Sequence, residues 1–330
     1  MRTFDHIDAR TMDEACEILD RYQGRAKLNA GGTDLLSVLK GDILPVYPEA
    51  IINVKTIPGL DYITEDGNVL RIGALARLSD IGQSSIIKKR YRVLAEAALS
   101  VGSPQIRNVA TIGGNLCQDS RCWYYRYPRH IGGPMQCLRK GNGPCLAVKG
   151  DNRYHAILKG RKCYSVCPSD MAVALTAIDA QITIAGPKGE RSIAVKNFYH
   201  PLGNALETNE MIREIEIPKK KSATRQKYIK FTLRKPIDFA IVSVAGIIAL
   251  KNKICTDASI VLGAVAPMPY RAEAAEDVIT GHVITKGLAS KAAEKALEDA
   301  KPLSMNGYKI EIAKTLVRRL IMDVFHGHKP

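Results

Sequence analysis

Two Gly-Gly turns set the strongest limit on how this chain can fold. The first lies in "AKLNAGGTDLLSVLKG", where a short apolar piece leads into Ala30-Gly31-Gly32-Thr33-Asp34 and a helix-like run follows. The second lies in "IRNVATIGGNLC", residues 106–117. Strand, glycine turn, helix is the order of an α/β unit. With no Cβ in the way, such a turn can aim backbone N–H groups into one concavity, which suits a phosphate. Two of them suit a pyrophosphate. Neither is a GxGxxG fingerprint and neither has the lysine of a Walker loop. Each alone also reads as a plain tight turn; the flanking Thr, Asp and Asn side chains favour a cofactor.

The rest of the chain alternates helical and strand patterns. Thr11 and Glu14 form a capping-box pattern ahead of a helix over 11–22, with Ala15, Ile18 and Leu19 as its apolar stripe. Strands are expected at 50–57 and 68–75 and a helix at 89–102. "PSDMAVALTAIDAQITIAG", from residue 168, reads as helix then strand. Residues 228–250 read as paired strands, 258–272 as strand then turn, and 288–300 and 310–325 as helices. The polar, basic "IPKKKSATRQKY" places a domain break near residue 220. A chain of 330 residues exceeds what one core usually serves. No apolar run is long enough for a spanning helix. The charged start, "MRTFDHIDARTMDEACEILD", lacks the apolar centre of a signal peptide, which points to the cytoplasm.

Net charge is +15. No helix-turn-helix or zinc-finger pattern accompanies it, so a basic face that is solvated or docks an acidic partner is the favoured reading over nucleic-acid binding. Six of the eight cysteines fall between 117 and 167. In a reducing compartment such a cluster points to metal before disulfides.

"AGGTDLL", "IRNVATIGGNLC", "PSDMAVALTAIDAQI" and "KFTLRKPIDFAIVSVA" together, in this order, resemble the FAD-binding medium subunit of the molybdenum hydroxylases, the family of xanthine dehydrogenase and carbon monoxide dehydrogenase. The resemblance spans nearly the whole chain. It implies an α+β protein: a two-subdomain α/β FAD-binding fold followed by a C-terminal α+β domain of the CO dehydrogenase flavoprotein type. The implied divisions are 1–55, 56–220 and 221–330. The resemblance puts the FAD pyrophosphate on Lys27, Leu28, Asn29, Ala30, Gly31, Gly32, Thr33, Asp34 and Leu35, and on Ala110, Thr111, Ile112, Gly113, Gly114 and Asn115. Asp170 matches an aspartate near the adenine-ribose side. Lys230, Arg234 and Asp238 match a pattern near the flavin or the domain interface, with a surface strand end as the alternative for Lys230, Arg234 and Lys235.

About forty residues, within a segment at roughly 118–166, separate "GGNLC" from "PSD" beyond what ordinary family members have. Here the chain resembles the β subunit of 4-hydroxybenzoyl-CoA reductase, in which four cysteines of the insertion hold a [4Fe-4S] cluster. The matching residues run from Asn115 to Tyr125 and from Gly160 to Cys163. The resemblance implies Cys122, Cys137, Cys145 and Cys163 as ligands. The last interval is longer here, and Cys167 competes with Cys163 for the fourth place. Four thiolates satisfy a cubane, while the C-x₄-C and C-x₃-C spacings leave a structural zinc site open. Cys16, Cys117 and Cys255 read as packing residues. Between 121 and 162 ten Arg or Lys face one acid, Asp151. Positive surroundings would raise the potential of a cluster, and Trp123 with its neighbouring tyrosines would shield it.

No nucleophile or acid–base dyad is visible, so no catalytic residue is assigned, as befits an electron carrier. The histidines, His130, His155 and His200 among them, show no metal-ligand spacing and read as structural. The resemblance implies an oxidoreductase subunit moving electrons between FAD and iron–sulfur and molybdenum partners. Those partners are a molybdenum-cofactor large subunit and a [2Fe-2S] small subunit, arranged as a dimer of heterotrimers. NAD or ferredoxin is the external partner, and an aromatic acyl-CoA or N-heterocycle the substrate of the complex. The alternatives are an NAD-linked xanthine dehydrogenase-type subunit with structural zinc, a standalone FAD oxidoreductase, and a zinc-stabilised nucleic-acid module.

Overall fold

The computed structural model describes residues 1–133, 135–219, 224–234 and 237–326. Three larger sheets organise them, beside a two-stranded pair of Tyr199–His200 with Gly203–Asn204. The first is parallel, in the order Asp5–Asp8, Ala50–Asn53, Ala26–Asn29. The helix Met12–Tyr22 buries Ala15, Cys16, Ile18 and Leu19 against it. Thr11 caps that helix by accepting from the Glu14 amide, and Glu14 reaches back to the amide of Arg10 instead of Thr11. The strand Ala26–Asn29 runs directly into the first glycine turn, and the helix Leu35–Gly41 follows.

The second sheet is antiparallel. Its order is Ile63–Asp66, Val69–Gly73, Met211–Pro218, Gln181–Gly186, Gly189–Ala194. The central strand therefore comes from the far side of the cysteine segment, so that segment leaves and rejoins one core. Ile212, Ile215 and Ile217 of this strand are buried in it, together with the helix Asp170–Ala177, whose residues are all buried. The single helix expected at 89–102 is two, Ser85–Arg90 and Arg92–Leu99. They break at Tyr91, whose φ of −129° and ψ of 49° leave the helical region while its ring is buried.

The third sheet is antiparallel, in the order Thr224–Phe231, Val242–Lys251, Ile254–Gly263, Tyr270–Arg271. Asn252 and Lys253, at φ of 50° and 67°, make the tight turn between its two longest strands. The helices Glu273–Ile279, Lys286–Ala296 and Tyr308–His326 pack into the same core. The mixed α+β character expected from the sequence is present. The break expected near 220 and the Lys235 position lie outside the described residues. Among the described residues no helix is long and apolar enough to cross a membrane.

Between residues 118 and 166 there is no strand among the described residues, only the short helix Arg129–Gly132 and two 3-10 turns. Such a segment has little backbone pairing of its own and depends on side chains to hold it. Asn152 and Asn306, both fully buried, do much of this. Asn152 Nδ2 donates to the carbonyls of Ala147 and Gly150. Asn306 Nδ2 donates to those of His155 and Ala156 at 3.1 and 3.2 Å. The amides of Ile157 and Leu158 donate to Val265 O, which fastens the segment's end to the third sheet.

Candidate cofactor site

Three cavities run together where the sheets meet. The largest, about 470 Å³, is lined by Lys27, Leu28, Asn29, Ala30, Gly31, Gly32, Thr33, Asp34 and Leu35, and by Thr111 and Gly114 from the second turn. A cavity of about 230 Å³ shares Thr33, Asp34 and Gly114 with it and adds Ala110, Asn115, Asp170, Lys230 and Asp238. One of about 450 Å³ touches Cys122, Asp170, Arg234 and Asp238. Pro168 borders all three.

The two glycine turns differ. In the first, among the described residues no acceptor is found for the amides of Gly31, Gly32, Thr33 and Asp34, and Gly32 has φ of 67°. A Cβ on Gly31 would overlap the Val109 carbonyl, so the glycine lets the two turns touch. The second is the first turn of a helix, Ile112–Cys117, capped by Thr111. Its amides are already used: Ile112 donates to Ala76 O, Gly113 to Ala74 O, Gly114 to Thr111 Oγ1 and Asn115 to Thr111 O. Ile112 and Gly113 face the core and border none of these cavities. The second turn thus offers walls and side chains where the sequence suggested a second amide cradle.

Asp170 and Lys230 form a buried ion pair at 2.7 Å, and the Tyr228 hydroxyl donates to the same carboxylate at 2.5 Å. Both oxygens of Asp170 are therefore occupied. Arg234 and Asp238 pair with each other at 2.8 Å, with the arginine 82% exposed. That geometry matches the surface strand-end alternative for Arg234.

Asp34 ties the glycine turn to the cysteine segment. Its carboxylate meets Arg121 at 2.9 Å and Arg126 at 2.6 Å, and it accepts the Asp119 amide at 2.8 Å. Behind it, burial would raise the Asp119 carboxyl, but Arg139 and the Tyr125 hydroxyl overcome this and hold it below the usual range. Tyr125 packs with Val38 and Ile43 of the glycine-turn side, and Cys122 and Cys137 pack against that cluster.

The cysteines come together from separate loops. Burial pushes the Cys122 thiol up to about 11, with Cys163 and Cys137 adding to the rise. Burial also raises Cys137, and there Cys163 and Cys145 add to it. Cys163 thus lies within electrostatic reach of both Cys122 and Cys137, and Cys145 within reach of Cys137. Cys167 is buried in the main core yet lines one cavity with Cys122, and burial pushes its thiol up to about 12. Among the described residues no group of three or more His, Cys, Asp or Glu side chains is close enough to hold a metal ion. Cys117, expected to be a buried packing residue, is exposed and borders the largest cavity. Of the ten local cations, Arg139 and Lys140 feel the cysteines. Arg121 and Arg126 serve Asp34, and Arg153 pairs with Asp151 at 2.6 Å. The Trp123 ring packs edge-on against Tyr124, Tyr154 and His155.

Residues 2–220 match the family described as the FAD binding domain in molybdopterin dehydrogenase, and residues 227–324 match the CO dehydrogenase flavoprotein C-terminal domain. The chain belongs to this family of FAD-binding subunits. It is 34% identical over 332 residues to the aldehyde oxidoreductase FAD-binding subunit PaoB of Escherichia coli strain K12, covering 98% of each chain. It is 28% identical to the carbon monoxide dehydrogenase medium chain of Hydrogenophaga pseudoflava, covering 96% of each. A solved carbon monoxide dehydrogenase from that organism, lacking the Mo-pyranopterin moiety of its cofactor, superposes with a TM-score of 0.79 at 27% identity over 98% of both chains.

As an FAD-binding subunit of an oxidoreductase, the protein has a cleft whose donor chemistry suits the cofactor. Four unpartnered amides in the Gly31–Asp34 turn form a concavity that a side chain at Gly31 would destroy. Sequence reasoning missed Tyr228, although it lies two residues before Lys230 on the same strand face, a signal that period-2 alternation carries. It read His155 as structural and did not mark Asn306 or Lys309. Lys309 is fully buried, donates to His155 O and Ala264 O, and is pushed down by burial to about 7. No local pattern marks a lysine inside an apolar helix face as buried.

Proposed function

We propose that this FAD-binding subunit also carries a [4Fe-4S] cluster on Cys122, Cys137, Cys145 and Cys163, and passes electrons between it, FAD and partner subunits of a molybdenum hydroxylase or dehydroxylating reductase. The observation that carries the reading is the gathering of those four cysteines, from four loops, beside the turn that offers its free amides to the FAD pyrophosphate. The reading takes Cys163 over Cys167 as the fourth ligand, which is supported by the electrostatic reach of Cys163 to both Cys122 and Cys137. Tetrahedral zinc would need its sulfurs about 3.8 Å apart. A [4Fe-4S] core stands between its ligands and takes thiolates set farther apart than that. This supports the kinship with 4-hydroxybenzoyl-CoA reductase at the level of the insertion.

The flavin supplies one- and two-electron exchange when bound. The chain's own residues do the rest. Ala30–Asp34 with Thr111, Gly114 and Asn115 receive the pyrophosphate side, and Asp170, Lys230 and Asp238 shape the far end of the cleft. Asp34, held by Arg121 and Arg126, fixes the cysteine segment against the pyrophosphate turn. Arg139 and Lys140 favour the reduced, more negative state of a cluster. The reading keeps the divisions 1–55, 56–220 and 221–330, which is supported by each holding one of the larger sheets. By kinship the partners are a molybdenum-cofactor large subunit and a [2Fe-2S] small subunit in a dimer of heterotrimers, with NAD or ferredoxin outside. The 34% identity to an aldehyde oxidoreductase subunit favours an aldehyde for the complex over an aromatic acyl-CoA or N-heterocycle.

The test is electron paramagnetic resonance of the reduced protein with each of Cys122, Cys137, Cys145 and Cys163 changed to serine. Loss or alteration of a [4Fe-4S] signal in all four, with flavin retained and Cys167→Ser unaffected, is the expected result. An unchanged signal in any of the four, or zinc without iron, contradicts the assignment.

A further inference from the structure

One wall of the largest cavity cannot hold its place unaided. The hairpin of Tyr199–His200 with Gly203–Asn204 lends that cavity Tyr199, Leu202, Gly203 and Asn204. Each strand is two residues long, and a pair that short needs outside contacts to be stable. At the base of the hairpin the Tyr199 hydroxyl donates to Leu116 O at 2.9 Å. At its tip Arg139 Nη1 donates to Pro201 O at 3.2 Å. The other hydrogen bonds of the tip stay local among the described residues: His200 Nε2 donates to Asn204 O at 2.8 Å, and Asn204 Oδ1 accepts from the Leu206 amide at 3.1 Å.

Arg139 comes from the other side. It lies on the 3-10 turn Leu138–Lys140 of the cysteine segment and is itself on the cavity wall, with its side chain 13% exposed. While Nη1 holds the hairpin, Nη2 donates to the Asp119 carboxylate at 2.8 Å, and the guanidinium lies 5.5 Å from the centre of the Tyr125 ring. Asp119 and Tyr125 line the same cavity. A planar guanidinium bridges two acceptors from one rigid fork; a lysine ammonium keeps the charge but not the fork. Nε is buried without a partner, so the two terminal nitrogens carry the link. We infer that Arg139 is a positioning residue of the flavin site: it latches the cysteine segment to the hairpin tip and so keeps bound FAD from leaving. The inference rests on the assignment of that cavity to FAD, and it needs no metal on the cysteines. It gives the segment a second task, closing the flavin site.

The experiment measures FAD release from the purified complex, as flavin recovered in the filtrate at timed intervals after dilution. The native protein is compared with Arg139→Met, Arg139→Lys, Arg153→Gln and Gly31→Ala. Arg139→Met should release FAD about ten times faster or more, the factor expected for the loss of a charge-assisted hydrogen bond. Arg139→Lys should fall between, and Arg153→Gln, in an exposed pair on the same segment, should match the native rate. Hydrogen exchange separates a latch from general loosening. In Arg139→Met the amides of residues 199–204 should exchange faster while those of residues 146–158 keep their native rates. Arg139→Met purified without FAD, with Arg139→Lys retaining it, supports the same role. Faster exchange in both stretches overturns the inference, as does equal acceleration of release in Arg153→Gln. A native release rate in Arg139→Met also overturns it. If Gly31→Ala then loses its FAD, the latch alone is wrong; if Gly31→Ala keeps it too, the assignment of the cavity to FAD falls with the latch.

Discussion

At the residue scale, the structure turns on small groups placed where larger or differently charged ones fail. Gly31 is one. Any Cβ there meets the Val109 carbonyl, so Gly31→Ala must push the two turns apart. We expect a loss of about 3 kcal/mol and purified protein depleted of flavin absorbance. Gly287, exposed in the first turn of the helix Lys286–Ala296, would place a Cβ in ordinary contact with Thr285 Oγ1 at 4.0 Å, and Gly287→Ala should hold flavin normally and be slightly more stable. Lys309 is another. Burial lowers its pKa from 10.5 to about 7. Between those values the unfolded chain binds a proton that the folded chain does not, so stability rises as pH climbs from about 7 towards 10.5. Urea midpoints at pH about 7 and about 9 should therefore differ more for the native protein than for Lys309→Met. An equal difference would show that Lys309 does not titrate in that window.

At the element scale, the decisive feature is a long segment without strands, held by side chains at both ends. Asn306→Ala removes donors to His155 O and Ala156 O and strands the amide of Leu303. It should cost about 3 kcal/mol and open residues 146–164 to limited proteolysis before the rest of the chain. Asp34→Ala leaves Arg121 and Arg126 without their carboxylate and should loosen the opposite end of the segment. If both variants are cut at the native rate, the segment is held by something other than these contacts.

This is also where sequence reading succeeds and stops. The strand–turn–helix at Ala26–Gly41 was legible because periodicity and glycine chemistry are local. The second Gly-Gly turn was legible as a position but not as a conformation. Its amides go to Ala74 and Ala76, more than thirty residues away, and no local pattern encodes that. The split at Tyr91 follows from where the ring is buried, a tertiary fact. The cysteines could be counted, yet which of them approach one another, Cys163 with Cys122 and Cys137 among them, depends on how the segment folds back. Asp170 and Lys230 were picked out separately, and only the fold shows that they neutralise each other.

At the scale of the whole molecule, a chain of net charge +15 with a cofactor cleft at the junction of three sheets suits docking to acidic electron carriers. If ferredoxin is the external partner, its electron exchange with the complex should slow steeply as ionic strength rises, because screening shortens electrostatic reach to about 10 Å at 0.1 M salt. A salt-independent rate would remove the role assigned to the charge. The central claim is narrower: one subunit holds both a flavin in its cleft and a four-iron cluster on the adjoining segment. The most direct measurement is the iron, zinc and FAD content of the purified subunit. The account predicts about four irons per FAD and no stoichiometric zinc; FAD accompanied by one zinc and no iron, or by no metal at all, would contradict it.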